Sequence, residues 1–178
     1  PVYPARFGTL FSDAARLESA LDAHRDALRS YFDAVDGAQE WAVKGLLDRE
    51  RAAAHVAEAE GAPDESGTAY LQRRKRVQEA QADLDDWLDD VAEALLDPLA
   101  APARDTRVLP VRGNAGREDE VAFNWAFLVP ESGAEAFRTA VDRRSQEYAS
   151  RGLVLDLTGP WPPYNFRPSL DVGDSSGA

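Results

Sequence analysis

The chain has 178 residues, 44% of them hydrophobic, which is enough for one compact domain with attached helices. Its net charge of −12 argues against partners that are nucleic acids or anionic membranes, because both require a basic surface. It contains no cysteine, no long apolar run and no signal-peptide pattern, which excludes disulfides and thiolate metal sites and predicts a soluble, cytoplasmic protein.

The first 38 residues predict a short extended segment followed by one helix over about residues 13–35. Ser12 is a suitable N-cap, and Gly37 is placed to end the helix in the left-handed conformation. The apolar positions recur at helical spacing, so we expect this helix to pack alongside the rest of the protein. They are Leu17, Leu21, Leu28, Phe32 and Val35.

Four later segments have the composition and alternation of strands. In the first, residues 40–47, alternation places Trp41, Val43 and Gly45 on one face. The second, residues 106–112, contains Pro110, which cannot donate a hydrogen bond to a neighbouring strand and therefore predicts a sheet edge. The other two are residues 121–129 and 153–157. The third has the strongest signal, with five apolar residues predicted on one face: Val121, Phe123, Trp125, Phe127 and Val129.

Helical patterns cover about residues 48–62, 68–96 and 134–151. From residue 40 the order is therefore strand, helix, strand, strand, helix, strand, if the two helical patterns before the second strand are taken as one connection. This order predicts an α+β fold with a ferredoxin-like split βαββαβ sheet, in the strand order 4-1-3-2. The order places the second and fourth strands at the edges, as the proline in the second strand requires.

A proline-rich aromatic segment follows the fourth strand. Because proline fixes φ and lacks an N–H group, we expect the chain to leave the sheet at Gly159 and Pro160. Trp161, Tyr164 and Phe166 then either fold back and complete the core, which we favour, or present a polyproline II ligand to a partner. Residues 167–178 are rich in Gly, Ser and Asp and are predicted to be disordered.

Four blocks of the sequence together resemble the GvpL/GvpF family of gas vesicle accessory proteins. They are residues 6–11 (RFGTLF), 40–44 (EWAVK), 67–75 (GTAYLQRRK) and 157–166 (LTGPWPPYNF). The resemblance implies an N-terminal domain ahead of a ferredoxin-like domain. We therefore interpret residues 1–38 as the remnant leading from a mostly missing first domain and residues 39–166 as the ferredoxin-like domain. The absence of methionine agrees with a chain that starts inside a longer protein.

The resemblance also implies a function at the gas vesicle. Members of the family are minor vesicle components thought to assist assembly, so the implied partners are the main shell protein and other vesicle accessory proteins. The alternatives are a ferredoxin-like module that binds a small regulatory ligand and an enzyme of the dimeric α+β barrel type. The enzyme would need a polar pocket on the sheet, for which the strands offer only Lys44 and Asn124.

Two basic sites are candidates for partner binding. Arg73, Arg74 and Lys75 lie at the start of a helix, where they either pair with nearby acidic residues or bind an acidic patch on a partner. Arg107 and Arg112 flank the proline of the second strand. That strand is either an edge protected against further pairing or a template for a partner strand.

Residues typical of catalysis or metal binding are not combined in a recognisable motif. His24 and His55 lie in predicted helices without a metal-binding spacing, and the acidic run at 83–93 lacks a calcium-binding loop. Gly113 and Gly116 join two strands, which favours a hairpin turn over a phosphate-binding loop. We therefore expect no cofactor, no metal and no enzymatic activity.

Overall fold

The computed structural model describes residues 1–6, 8–59, 69–111 and 120–170, with the side chains of Ala59 and residues 69–82 left aside. These residues form five α-helices and four strands. In chain order they are α1 (Ala14–Ala23), α2 (Arg25–Val35), β1 (Ala38–Leu47), α3 (Arg49–Ala59), α4 (Ala69–Ala100), β2 (Asp105–Val108), β3 (Glu120–Pro130), α5 (Ala134–Ala149) and β4 (Leu153–Trp161). The α+β class is confirmed. The four strands form one antiparallel sheet in the order β2-β3-β1-β4, so β2 and β4 lie at the edges as predicted.

The main core lies between α3, α4 and α5 and one face of the sheet. We call this the helix-covered face. The predicted alternation in β1 is confirmed, since Trp41 and Val43 are buried on this side. Apolar side chains at helical spacing along α4 are also buried there, including Leu84 and Leu95. Those of α5 are Phe137, Val141 and Tyr148.

The prediction for β3 was right for four residues and wrong for Val121. The pairing of β1 with β3 shifts between Gly45 and Leu46, so that Gly45 lies opposite Phe123 and Leu46 lies opposite Val121. The extra residue, Ala122, forms a bulge and packs against the main core instead. Val121 is therefore turned to the opposite face of the sheet.

The N-terminal helix is not continuous. Non-helical backbone angles at His24 divide it into α1 and α2, and the N-cap of α1 is Asp13, not Ser12. The Asp13 carboxylate accepts a hydrogen bond from the Arg16 N–H at 2.9 Å, which also lowers the pKa of Asp13. Gly37 has a φ of 62°, as the predicted left-handed stop requires.

Only the second half of this region packs as predicted. Helix α2 buries Leu28 and Val35, whereas Leu17 and Leu21 of α1 are 39% and 45% exposed. The helix is interrupted at His24, and of the two parts only α2 has buried residues. The expected single buried stripe was therefore wrong for α1.

Two elements that were predicted from their prolines end at other positions than expected. Helix α4 does not stop at residue 96 but includes Pro98, which removes one hydrogen bond from its last turn. Burial of Leu95 and Leu99 on the core side holds that turn in place. Strand β2 ends at Val108, so Pro110 lies beyond the strand and not inside it. Strand pairing stops near Pro110 because this residue has no N–H group to donate.

The expected exit from the sheet at Gly159 and Pro160 was wrong. Strand β4 continues through both residues to Trp161, which pairs with Glu40 of β1. A register shift between Glu40 and Ala42 takes up the extra residues. Pro160 is tolerated because an edge strand has one side that needs no donor.

Candidate partner-binding surface

The second face of the sheet is only partly covered. At one end, Leu128 packs against Tyr31 and Val35 of α2 and against Phe166. Towards the other end, Lys44 and Leu46 of β1 remain partly exposed. We call this second face the open face. Its partly exposed side chains are available to a partner.

Residues 161–166, which we call the aromatic segment, are attached to the open face by a buried acid. Glu40 is 3% exposed, and its carboxylate accepts a hydrogen bond from the Asn165 backbone N–H at 2.9 Å. The Asn165 side-chain amide donates to the other carboxylate oxygen. Burial raises the pKa of the Glu40 carboxyl, and the two hydrogen bonds from Asn165 oppose that rise. Two of the four resemblance blocks are thus joined by one side-chain contact.

Further contacts hold the aromatic segment at both of its sides. The Tyr31 hydroxyl lies between two carbonyl oxygens, that of Val2 at 3.2 Å and that of Pro163 at 3.4 Å. Burial and the charge of Glu40 raise the pKa of Tyr31 to about 12. Just after the segment, the Tyr3 hydroxyl donates to the Pro168 carbonyl at 3.1 Å. These contacts make the segment a supported surface instead of a free ligand motif.

The structure brings some of the predicted site residues together. The Arg107 guanidinium lies 5.8 Å from the centre of the Phe166 ring and also pairs with Asp105 at 2.8 Å. Trp161 and Tyr164, in contrast, are each 52% exposed. The favoured expectation that the aromatic residues complete the core is therefore confirmed for Phe166 and wrong for the other two.

The remaining predicted site residues cannot be placed in contacts. The side chains of Arg73, Arg74 and Lys75 lie outside the described ones, although the backbone of these residues belongs to α4. Arg112 also lies outside the described residues, as do residues 171–178 of the predicted disordered tail. Their assignment to partner binding stays a prediction.

A shallow cavity of about 310 Å³ opens on the open face next to the aromatic segment. Its polar lining residues are Lys44, Asn124 and Asn165. The Asn124 Oδ1 atom is buried and has no hydrogen-bond partner among the described residues. The apolar wall is formed by Leu109, Pro110, Val111 and Val121.

Sequence reasoning had named Lys44 and Asn124 as the polar candidates of the strands, but it missed Glu40 and Asn165. An acid inside a predicted strand was the available signal.

Both edges of the sheet are poorly suited to pairing with a partner strand. Strand β2 has four residues and is followed by Pro110. On β4, the Ser145 hydroxyl lies 2.9 Å from the Leu155 N–H nitrogen and 3.3 Å from the Leu155 carbonyl oxygen, so it occupies both backbone groups. These features favour the interpretation of protected edges. A partner is therefore more readily bound by side chains on the open face.

No group of three or more His, Asp or Glu side chains among the described residues is arranged to hold a metal ion. None of the helices in the described part of the chain combines the length and the apolar character needed to cross a membrane.

Comparison with known proteins identifies the family. The family model described as "Gas vesicle synthesis protein GvpL/GvpF" matches residues 1–168. Gas vesicle protein L2 of Halobacterium salinarum is 30% identical, over 94% of this chain and 64% of its own length. Gas vesicle protein L of a Streptomyces species is 28% identical, over 92% of this chain and 61% of its own length. The chain thus spans somewhat less than two thirds of these relatives.

Solved structures agree in fold. The crystal structure of the gas vesicle protein GvpF from an Anabaena species has a TM-score of 0.69 at 18% identity and covers 93% of this chain and 69% of its own. That of GvpF from Microcystis aeruginosa has a TM-score of 0.61 at 15% identity, with the same coverage. The prediction of a protein without enzymatic activity agrees with the family assignment. The chain belongs to the GvpL/GvpF family of gas vesicle proteins.

Proposed function

We propose that this chain is a non-catalytic accessory protein of gas vesicle assembly, which acts at the vesicle in the cytoplasm. It binds the main shell protein or another vesicle accessory protein. The observation that carries the proposal is the family match over residues 1–168, which includes nearly all of the described fold. The net charge of −12 agrees with protein partners instead of nucleic acids or anionic membranes.

We also propose the domain organisation behind this function. Residues 39–166 are a ferredoxin-like domain, which the antiparallel strand order β2-β3-β1-β4 supports. Residues 1–38 lead from a first domain of the whole protein. The greater length of the curated relatives is compatible with such a first domain.

The binding surface that we favour is the aromatic segment together with the open face beside it. Trp161 and Tyr164 expose large aromatic surfaces on a segment that is already held in place by Glu40 and Tyr31. A supported aromatic side chain contributes contact area with little loss of conformational entropy, which is typical of residues that dominate protein interfaces. Arg107 extends this surface, and the basic residues 73–75 and 112 are further candidates.

Site-specific crosslinking of the assembling vesicle tests the proposal. A photo-reactive residue is placed at Trp161, and in a second variant at Arg143 on the exposed side of α5, in the whole protein. We expect the variant at position 161 to yield crosslinks to the shell protein or to another accessory protein, and the variant at 143 to yield few. Absence of crosslinks to any vesicle protein from either position would contradict the proposed function.

Removal of the exposed aromatic side chains is expected to weaken partner binding without changing stability. In Trp161→Ala and Tyr164→Ala, the affinity should fall about tenfold or more, because interface aromatics are typical hot spots. Thermal unfolding should shift little, since each side chain is 52% exposed. Quantitative pull-down with the shell protein measures the effect. Leu17→Ala removes a similarly exposed apolar side chain from α1 and serves as the control.

The cavity on the open face supports a second candidate function, the binding of a small regulatory ligand. A volume of about 310 Å³ lies at the lower end of the range of ligand sites. A ligand that binds the folded state raises the melting temperature. A thermal-shift screen with metabolites should therefore find a stabilising compound if this function holds.

A further inference from the structure

We propose that the cavity on the open face binds an extended segment of a gas vesicle partner protein, in which an acidic residue lies two positions from an apolar residue. The nature of the partner rests on the proposed function. The binding of such a segment follows from the side chains that line the cavity: Lys44, Asn124, Asn165, Leu109, Pro110, Val111 and Val121. The acidic side chain, the peptide backbone and the apolar side chain of the segment each have a counterpart in this lining.

Lys44 supplies the charge for an acidic residue. It is the single cation among the described residues that line the cavity. Asp156 lies opposite Lys44 in the pairing of β1 with β4, yet Lys44 makes no ion pair within the described ranges. No described residue therefore neutralises the ammonium group, although the overall charge of the chain is −12. A carboxylate that enters the cavity would neutralise the charge of Lys44.

The two asparagines supply partners for a peptide backbone. The Asn124 Oδ1 atom is buried without a donor among the described residues, and a peptide N–H is a suitable donor for it. Asn165 is exposed at the cavity wall, and its amide is oriented because the amide nitrogen already donates to Glu40. The site therefore offers acceptors for an N–H group. A simple carboxylate ligand has no N–H group to donate.

The apolar wall supplies the third element. Leu109, Pro110 and Val111 follow directly after β2, and Val121 faces them because of the bulge at Ala122. In an extended segment, side chains two positions apart point to the same side. An acidic side chain on Lys44 and an apolar side chain on this wall can therefore belong to one such segment.

Pairing of a partner strand with an edge of the sheet is disfavoured as the way in which the segment binds. Strand β2 is short, and the Ser145 hydroxyl occupies the Leu155 backbone groups of β4. A segment in the cavity would instead contact side chains in front of the sheet. Recognition then depends on the residues of the segment and not only on its backbone.

Titration of the chain with a capped peptide tests the inference. The probe is acetyl-Ala-Glu-Ala-Val-Ala-amide, its control has Gln in place of Glu, and glutarate represents a free carboxylate. We expect the Glu peptide to bind at least about tenfold more tightly than either control, and Lys44→Met to remove that difference. Arg143→Met removes an exposed cation from α5, on the helix-covered side, and should leave binding unchanged. Isothermal titration calorimetry measures all arms.

Three results would overturn the inference: equal binding of the Gln peptide, binding of glutarate as tight as that of the Glu peptide, or unchanged binding in Lys44→Met. Lys44→Gln is a second variant in case Lys44→Met does not fold. If the protein crosslinks to vesicle partners but does not bind the Glu peptide at millimolar concentration, the inference fails and the proposed function stands. If it binds the peptide but crosslinks to no vesicle protein, the cavity assignment is supported and the proposed function fails.

Discussion

Replacement of Gly152 by alanine is expected to lower the free energy of unfolding by about 2–5 kcal/mol. Gly152 has a φ of 86°, which an L-residue adopts only with strain. A Cβ atom there would also lie 2.7 Å from the Ala52 backbone nitrogen and 2.9 Å from the Asp48 carbonyl oxygen. Since the Gly152 carbonyl accepts the Asp48 N–H at 2.8 Å, the clash would separate the start of β4 from the start of α3.

Gly37→Ala is the matched control for this substitution. Gly37 has a φ of 62°, but a Cβ atom there would meet no other atom within 4 Å. Its replacement should therefore show the backbone strain alone, about 1–2 kcal/mol. Urea denaturation followed by circular dichroism gives both values. Equal losses in the two variants would mean that the close approach between Gly152 and α3 contributes nothing to stability.

Loss of the Glu40 carboxylate is expected to release the aromatic segment. In Glu40→Ala, the Asn165 backbone N–H and side-chain amide lose their acceptor, which should cost about 1–3 kcal/mol of unfolding free energy. A double-mutant cycle with Asn165→Ala separates the side-chain hydrogen bond from the packing of Glu40 itself, because alanine keeps the backbone N–H that donates to Glu40. A coupling energy near zero would contradict the role assigned to the pair. Binding of vesicle partners should weaken in Glu40→Ala as in Trp161→Ala, because the segment loses its fixed position.

The pH dependence of stability measures the burial of the Glu40 carboxyl, because the hydrogen bonds from Asn165 oppose the rise of its pKa. Burial raises the pKa of Glu40 in the folded protein above its ordinary value of 4.5, so the folded state keeps this proton to a higher pH than the unfolded state. The contribution of Glu40 to stability therefore decreases as pH rises from about 4.5 through the folded-state pKa, and it is constant above that. Glu40→Gln has no such titration, so the stability of the wild type relative to this variant should fall across the same interval. Urea denaturation of both proteins from pH 4 to pH 8 measures it, and parallel curves would exclude the raised pKa.

Several elements were predictable because their information is local. The alternation of Trp41 and Val43 and the periodic apolar residues of α4 and α5 report which side each element buries. Gly37 marks the end of a helix because the left-handed backbone conformation at this position favours glycine. The edge position of β2 followed from the predicted strand order, whereas Pro110, predicted inside this strand, lies beyond it. The family could also be recognised, since its blocks are read directly from the residues.

What the sequence determined by itself was thus the α+β class, the number and order of the strands, and the family. Only the tertiary structure decided the side of the sheet on which Val121 lies, the continuation of β4 to Trp161, and the contact between Glu40 and Asn165. Each of these depends on how two strands align, or on two residues that are 125 positions apart in the chain. The alternation of a single strand contains no information about a bulge in its pairing with another. The cavity arises from the same two causes, because a bulge places Val121 in it and the contact with Glu40 places Asn165 there.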